Sequence, residues 1–349
     1  MTLRRLPTLV ALGALFCGLT AAGAYWALRS SQLRLGELAA VFRLAASSVG
    51  PLAGLTVAIY ASDVLRYRLM GRALGIPIRW RVGLDASMAN FLFSWITPGA
   101  AMGAPAAMYM LHRGGVPWPD GAVIAFGKSL TSGAVVVALS FLALAVGLAP
   151  DFDATTRAVL TSGAGVAALL LALPVLGALC PAHSLDLIDA LERRLCRGTI
   201  SRGGWAWLAG TLRTAVERLG RLTRGGASTP IALLAAHLAH FGSLVAVAVV
   251  LAVSLGATSS PQAVGASMLY TGVTYLAPTP GGAGIAEAVG GTLFAGVLAP
   301  REALLVAIAA RLLTIHLQIV LGAVYLAIVG GTTEIMANRR RPRDRPASE

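Results

Sequence analysis

Charged side chains are scarce in this chain, and their scarcity excludes an ordinary soluble domain. They make up 12% of the 349 residues, whereas a soluble domain carries about 25%. Acidic residues are the scarcer sign, with 15 Asp and Glu against 28 Lys and Arg, so the formal net charge is +13. Apolar residues make up 56% of the chain. This balance is typical of several membrane spans and predicts an all-α integral membrane protein.

Cysteines and catalytic arrangements are also few. Cys17, Cys180 and Cys196 are scattered and odd in number, which excludes a disulfide framework and a metal-ligand spacing. His237 and His240 share one face of an apolar run without an obvious third ligand, so we predict interhelical hydrogen bonds rather than a metal site. No Ser/His/Asp or paired-acid arrangement supports hydrolysis. We therefore expect no enzyme activity, no metal and no cofactor.

The basic residues occur in short arginine blocks between apolar runs, not interleaved with aromatic residues on a polar face. That pattern argues against a nucleic-acid partner. It agrees with the positive-inside rule, by which cytoplasmic loops of membrane proteins carry an excess of Lys and Arg. The arginine blocks therefore predict contact with an anionic lipid surface.

Apolar runs long enough to cross a bilayer, which takes about 20 residues, recur along the chain. The first run follows Arg4 and Arg5 and also looks like a cleaved signal peptide. We predict an uncleaved helix, because the topology described below works with this run retained. The six predicted full spans are 6–28, 44–65, 120–148, 157–180, 230–256 and 302–329.

Two further apolar segments, 84–111 and 262–298, contain similar interruptions, Thr97-Pro-Gly-Ala-Ala-Met-Gly103 and Thr279-Pro-Gly-Gly-Ala-Gly284. A broken helix at membrane depth is tolerated only where it is buried in protein or lines a wet cavity. Matched breaks in two halves therefore predict two re-entrant helical hairpins around a transport site. The residues assigned to the breaks are Pro98, Gly99, Gly103, Pro105, Pro278, Pro280, Gly281, Gly282 and Gly284.

The distribution of charge favours hairpins that return to the side from which they enter. With that topology both termini and three basic blocks lie in the cytoplasm, and the acidic loop at 150–153 lies outside. If each hairpin crossed the membrane once, the large basic loop and the basic tail would lie on opposite sides. The first basic block, which we place in the loop after the second span, comprises Arg66, Arg68, Arg72, Arg79 and Arg81.

Each half then has three spans and one hairpin, so the second half is inverted relative to the first. We divide the chain into a first membrane repeat at 1–148, a second at 149–182 and 230–335, and a basic C-terminal tail at 336–349. The segment 183–229 has apolar residues at helical spacing beside arginines. It predicts an amphipathic helical insert on the cytoplasmic side.

One cation stands inside an apolar run of each half, Lys128 and Arg311, each 11 residues after a proline. A cation in a span costs about 2.5–3.5 kcal/mol on insertion scales, so a carboxylate, water or an anionic ligand must offset it. We predict that the two cations hold an anionic headgroup. A structural ion pair, for example with Glu287, is the alternative. Glu287 follows the second break by one helical turn, so it can cap that helix or take part in transport.

Motifs in both halves match a known family. The second half carries Pro278-x-Pro280-Gly-Gly-x-Gly284-x-x-Glu287-Ala and later Arg311-Leu-Leu-Thr. The first half carries Ile96-Thr-Pro98, Gly103-x-Pro105 and Tyr109-x-Leu111-x-Arg113-x-Gly115-Val. Together they resemble the lysylphosphatidylglycerol synthase transmembrane (flippase-like) family, over essentially the whole chain.

The resemblance implies an α-helical protein of the bacterial cytoplasmic (inner) membrane with two re-entrant regions. The best-understood members of that family flip aminoacylated phosphatidylglycerol between leaflets, and relatives are linked to hopanoid or isoprenoid-lipid traffic. Tyr109, in the first motif, therefore joins Lys128, Arg311 and Glu287 as a candidate substrate-binding residue. The chain departs from the family pattern at Ala104, where members often have a polar residue.

The sequence as a whole predicts a flippase for an anionic or isoprenoid-type lipid. Two alternatives remain open: a secondary transporter of a small anionic solute with Glu287 as proton carrier, and a non-transporting scaffold for a lipid-modifying enzyme. Synthetase members of the family carry a soluble aminoacyl-transfer domain after the membrane part, and this sequence ends at Glu349. We therefore expect that it does not make lysyl-lipid itself.

Overall fold

The computed structural model describes most of the chain as helices. The described residues are 48–149, 152, 154–195, 210, 213, 216–218, 228–258 and 260–340. Within them there is no strand, which confirms the all-α class. The predicted span at 6–28 and the end of the basic tail, 341–349, lie outside the described residues.

Long helices alternate with shorter ones that flank two interruptions. Turns of 3-10 helix at Pro98–Ala100 and Pro280–Gly282 form the interruptions, and a π-helical segment at Leu312–His316 joins the last two helices. The α-helices are α1 (Val49–Ala73), α2 (Trp80–Ile96), α3 (Gly103–Arg113), α4 (Trp118–Ala145), α5 (Ala154–Leu179), α6 (Pro181–Leu195), α7 (Ser228–Ser254), α8 (Ser260–Leu276), α9 (Ile285–Phe294), α10 (Pro300–Arg311) and α11 (Leu317–Arg340).

Within the described residues, three helical stretches are long and apolar enough to cross a membrane: Trp118–Ala145, Ser228–Ser254 and Pro300–Val329. They coincide with three of the predicted spans. Helices α1 and α5 occupy the positions of two more and have 25 and 26 residues. At 1.5 Å per residue each is nearly 40 Å long, which exceeds the roughly 30 Å hydrocarbon core of a bilayer. Neither helix is among the three apolar stretches named above.

Helix α1 ends later than the sequence predicted. The predicted span stops at residue 65, but the helix continues to Ala73 because Tyr67 and Met70 pack into an apolar cluster with α2, α3 and α4. Arg66 therefore belongs to the helix, and only 1% of its surface is exposed. Its assignment to the loop after the second span was wrong, and Arg68 and Arg72 likewise belong to α1.

The order of elements occurs twice along the chain. Helices α1, α2, a 3-10 turn, α3 and α4 come first, and α7, α8, a second 3-10 turn, α9 and α10 repeat that order. In the first set α1 packs on α2, α2 on α3 and α3 on α4, and the corresponding helices of the second set pack in the same pairs. Helices α1 and α7 pack on each other. Helix α4 packs on α8, and in the corresponding contact α11, which follows α10, packs on α2. The two sets therefore share both connectivity and packing.

Candidate functional site

The two interruptions begin with the same backbone geometry. Pro98 and Pro280 each begin a 3-10 turn, and the next residue is a left-handed glycine, Gly99 with φ 57° and Gly281 with φ 53°. The residue before each proline, Thr97 or Thr279, is extended, so the preceding helix has already ended and the left-handed glycine lies inside the turn. Glycine adopts that conformation without the steric cost of a Cβ. The two interruptions also pack against each other, so both halves contribute to one central region.

The other predicted break residues flank these turns. Gly103 and Pro105 lie in the first turn of α3, where a Cβ added to Gly103 would overlap the Ser94 hydroxyl of α2. The chain therefore folds back tightly at the first interruption. The remaining break residues belong to the second interruption, where Gly282 is buried, Gly284 has φ 81° immediately before α9, and Pro278 is exposed.

Arg311 and Glu287 form a buried ion pair beside the second interruption. Arg311 is 2% exposed and Glu287 is 5% exposed. The other carboxylate oxygen, Glu287 Oε2, accepts a hydrogen bond from the Gly284 N–H at 2.8 Å. Arg311 Nη1 lies 3.5 Å from the carbonyl oxygen of Gly282. The ion pair and the helix cap, which the sequence left as separate possibilities, thus occur together and link α10 to the break.

Lys128 forms an ion pair with Asp63 of α1, a residue that the sequence analysis did not single out. The distance from Lys128 Nζ to Asp63 Oδ1 is 2.9 Å. Arg66 pairs with the same carboxylate oxygen and donates a hydrogen bond from Nη1 to Ser132 Oγ at 2.9 Å. All three charged side chains are buried. This first-half cluster holds two cations and one carboxylate, whereas the second-half pair holds one of each.

Aromatic rings line the first-half cluster. Lys128 Nζ lies 4.5 Å from the ring centroid of Tyr67, and Arg66 Cζ lies 5.6 Å from that of Phe241. Cations within about 6 Å of a ring are attracted to its face, so these contacts offset part of the cost of burial. Among the described residues, Arg66 Nε and Asp63 Oδ2 find no hydrogen-bond partner. The cluster therefore retains hydrogen-bonding capacity that the protein does not use.

Asp63 and Arg66 had a signal in the sequence. Asp63 is a carboxylate inside the predicted span 44–65, and an ionisable residue inside a span is a functional-site candidate by default. Arg66 follows three residues later, which puts both side chains on one helix face. The pairing with Lys128 could not be foreseen, because it depends on how α1 packs against α4.

Tyr109 does not join either ion pair. It is 45% exposed on α3, and its ring centroid lies 6.5 Å from that of Trp118 at the start of α4. The ring of His112 stacks on the same tryptophan at 4.2 Å. The structure thus places Tyr109 in a surface aromatic patch, away from the buried cations.

The two histidines of α7 make the interhelical hydrogen bonds that the sequence predicted. His237 Nε2 lies 2.9 Å from Thr131 Oγ1 of α4, and His240 Nδ1 lies 3.1 Å from the carbonyl oxygen of Ile59 in α1. They therefore tie α7 to the two helices that carry the first-half cluster.

A small cavity lies between the two charged sites. Its volume is about 30 Å³, and its lining includes Thr274, Tyr275 and Ala310. Tyr275 packs on Phe241, the ring below Arg66, and Ala310 precedes Arg311. The cavity has room for a water molecule, and Thr274 Oγ1 has no protein partner within the described part of the chain.

An apolar cleft of about 810 Å³ reaches the second interruption from the outside of the helix bundle. Helices α4, α5, α8 and α9 form its walls, and several lining residues are exposed. Within α9, Ala288 and Val289 face the cleft, whereas Glu287 is buried and pairs with Arg311 of α10. The cleft and the ion pair thus lie on different faces of the same short helix. The lining residues on which the proposal below depends are Pro278 and Ala288.

Helices of membrane-spanning length and charges buried between them define a multi-pass helical membrane protein. The profile of the family described as the lysylphosphatidylglycerol synthase TM region matches residues 4–322, and the chain belongs to that family. This match confirms the resemblance drawn from the sequence motifs. The family is a membrane region and is not itself the catalytic domain of the synthase. No curated protein matches the chain.

Proposed function

We propose that the protein is a lipid translocase that moves an anionic or isoprenoid-type lipid between the leaflets of the bacterial cytoplasmic membrane. The lipid headgroup passes the two interruptions while its acyl or isoprenoid chains stay in the bilayer. The proposal assigns no chemical reaction to the chain. A lipid-modifying enzyme would supply or consume the lipid.

The proposal includes the finer membrane architecture. Six helices span the bilayer, and the segments 84–111 and 262–298 are re-entrant hairpins in an inverted repeat, with both termini and the insert 183–229 in the cytoplasm. The repeated packing of the described helices and the contact between the interruptions support this arrangement. Interrupted helices whose breaks meet at the repeat interface are a recurring form of transport site.

The apolar cleft is the observation that carries the proposal. A small-solute transporter needs a polar cavity closed off from lipid, but this cleft is lined mainly by apolar side chains and is open at exposed residues such as Ala288. It ends at Pro278 of the second interruption, and its lining residue Ala288 directly follows Glu287 in α9. An acyl chain in the cleft would place its headgroup at the second interruption, which packs against the first interruption.

The charge difference between the halves gives the headgroup a preferred position. In the second half Glu287 neutralises Arg311, whereas in the first half Asp63 faces both Arg66 and Lys128. An excess positive charge in a low-dielectric interior favours an anion, because an uncompensated buried charge is costly. We therefore assign the anionic headgroup to Lys128 together with Arg66, with Arg311 holding the second interruption in place.

Reconstitution in liposomes tests the proposal. The probe lipids are phosphatidylglycerol, its aminoacylated form and a polyprenyl phosphate. The purified protein should move them from the inner to the outer leaflet, where an impermeant reagent outside the liposome can react with them. Lys128→Ala and Arg66→Gln should slow an anionic lipid more than a zwitterionic one, and Arg311→Ala should slow both. If no lipid moves faster than in protein-free liposomes, and Lys128→Ala and Arg311→Ala leave lipid asymmetry in cells unchanged, the proposal is wrong.

A further inference from the structure

A third cavity, of about 470 Å³, lies at the C-terminal end of α1 and is separate from the interruptions. Its walls combine apolar side chains with two guanidinium groups. The turn between α1 and α2 closes one side, and Gly75 makes that turn with φ 75°. The lining residues that matter here are Leu65, Leu69, Pro77, Ile78, Arg68 and Arg72.

Arg68 is held in a fixed orientation at this cavity. Its Nε donates a hydrogen bond to the carbonyl oxygen of Ile78 at 3.0 Å, and its Cζ lies 4.1 Å from the ring centroid of Trp80. The two terminal nitrogens make no hydrogen bond to any described residue. A stacked guanidinium with free terminal N–H groups is preorganised for an anion such as a phosphate.

Arg72 lies one helical turn beyond Arg68 and lines the same cavity. Its side chain is exposed and forms no ion pair with any residue that the structure describes. Residues four apart lie on one helix face, so both guanidinium groups can reach a single ligand. The cavity therefore presents two positive charges above an apolar wall, and no carboxylate in the described residues neutralises them.

The surroundings place the cavity at a membrane surface. Trp80 is 54% exposed and Leu65 is 37% exposed, and exposed tryptophan beside arginine is typical of the interface between lipid and water. We propose that this cavity binds an anionic phospholipid of the cytoplasmic leaflet. Arg68 and Arg72 hold its phosphodiester, and an acyl chain lies along Leu65 and Leu69. The choice of the cytoplasmic leaflet rests on the proposed topology. Lipid binding at this site does not depend on translocation, because the cavity lies outside the path between the interruptions.

Lipid binding to the purified full chain in detergent tests this proposal. Phosphatidylglycerol and phosphatidylcholine serve as probes, with native mass spectrometry to count bound lipid and thermal unfolding to measure stabilisation. Phosphatidylglycerol should bind the wild type more tightly than phosphatidylcholine, and Arg72→Gln should weaken it about tenfold or more, since hydrogen bonds to charged groups are the stronger kind. Arg68→Lys keeps the positive charge but loses the planar guanidinium, which can donate two parallel hydrogen bonds and stacks on Trp80. It should therefore weaken binding as well.

Arg79→Gln is the matched control. Arg79 is an exposed arginine in the connection between α1 and α2 that does not line the cavity, so its loss changes the net charge equally and should leave binding unchanged. Equal weakening by Arg72→Gln and Arg79→Gln would show general attraction to a basic surface and overturn the site. Equal affinity for phosphatidylcholine would also overturn it. Inorganic phosphate that competes as well as the lipid would overturn the assignment of an acyl chain to the apolar wall.

Discussion

Asp63 is the residue on which the charged interior of the first half depends. Its Oδ1 accepts hydrogen bonds from both the Lys128 ammonium and the Arg66 guanidinium, and all three groups are buried. Neither cation has another carboxylate partner in the described part of the chain. Without Asp63, two like charges would lie side by side in a low-dielectric environment.

Asp63→Asn should therefore lower the free energy of unfolding by about 3–5 kcal/mol, because it leaves buried cations uncompensated. Thermal unfolding in detergent would measure the loss. The matched control is Asp85→Asn. Asp85 Oδ1 accepts a 2.7 Å hydrogen bond from the Tyr325 hydroxyl, and because the amide oxygen of asparagine can still accept this bond, the change should cost no more than about 1 kcal/mol. Equal losses in the two variants would contradict the role given to Asp63.

At this scale the sequence revealed both cations and the partner of Arg311, but not the partner of Lys128. Lys128 and Arg311 stand out because each interrupts an apolar run. The partner of Lys128 lies 65 residues away, and only the packing of α1 on α4 brings the two together. Glu287 was found because it lies one turn from a visible break, which is local information.

Among the secondary-structure elements, the two interruptions were the most predictable. Proline followed by glycine ends a helix through local chemistry, and each interruption has that pair. The end of α1 was not predictable in the same way, because tertiary burial of Tyr67 and Met70 extends the helix through an arginine block. The π-helical segment after Arg311 also has no local signal that sets it apart from a regular helix.

Helix α9 packs so closely on α10 that one glycine is required between them. A Cβ at Gly290 would lie 2.5 Å from Ala307 Cβ, whereas a Cβ at the neighbouring Gly291 meets nothing within 4 Å. Gly290→Ala should destabilise the protein by about 1–3 kcal/mol through overpacking. Gly291→Ala should be neutral or stabilise it by up to about 1 kcal/mol through helix propensity. Unfolding midpoints that shift alike would contradict this packing.

At the scale of the whole molecule, the repeat joins the two charged sites into one region. The same pairs of helices pack in both sets, and the interruptions meet where the sets join. The sequence predicted this correspondence from matched motifs and matched spacing. It could not predict the asymmetry between the halves, because Asp63 lies on α1 whereas Glu287 lies on α9, and these helices are not equivalent in the repeat.

The proposed topology predicts which loops share a side of the membrane. In a variant without the native cysteines, Arg79→Cys and Pro117→Cys flank the first hairpin and should react only with reagent on the cytoplasmic side. Thr258→Cys and Ala299→Cys flank the second hairpin and should react only from outside. All four positions are exposed. Labelling of Arg79→Cys and Pro117→Cys from opposite sides would show a crossing segment instead of a re-entrant hairpin.

Lipid translocation with the cleft blocked tests the central claim most directly. Ala288→Trp fills the apolar cleft from α9, and Val320→Trp places the same side chain at a position of α11 that is 56% exposed and does not line the cleft. In liposomes, the wild type and Val320→Trp should move a labelled anionic phospholipid at similar rates, and Ala288→Trp should approach the protein-free rate. Wild-type protein that moves no lipid, or Ala288→Trp that moves it as fast as Val320→Trp, would contradict the account.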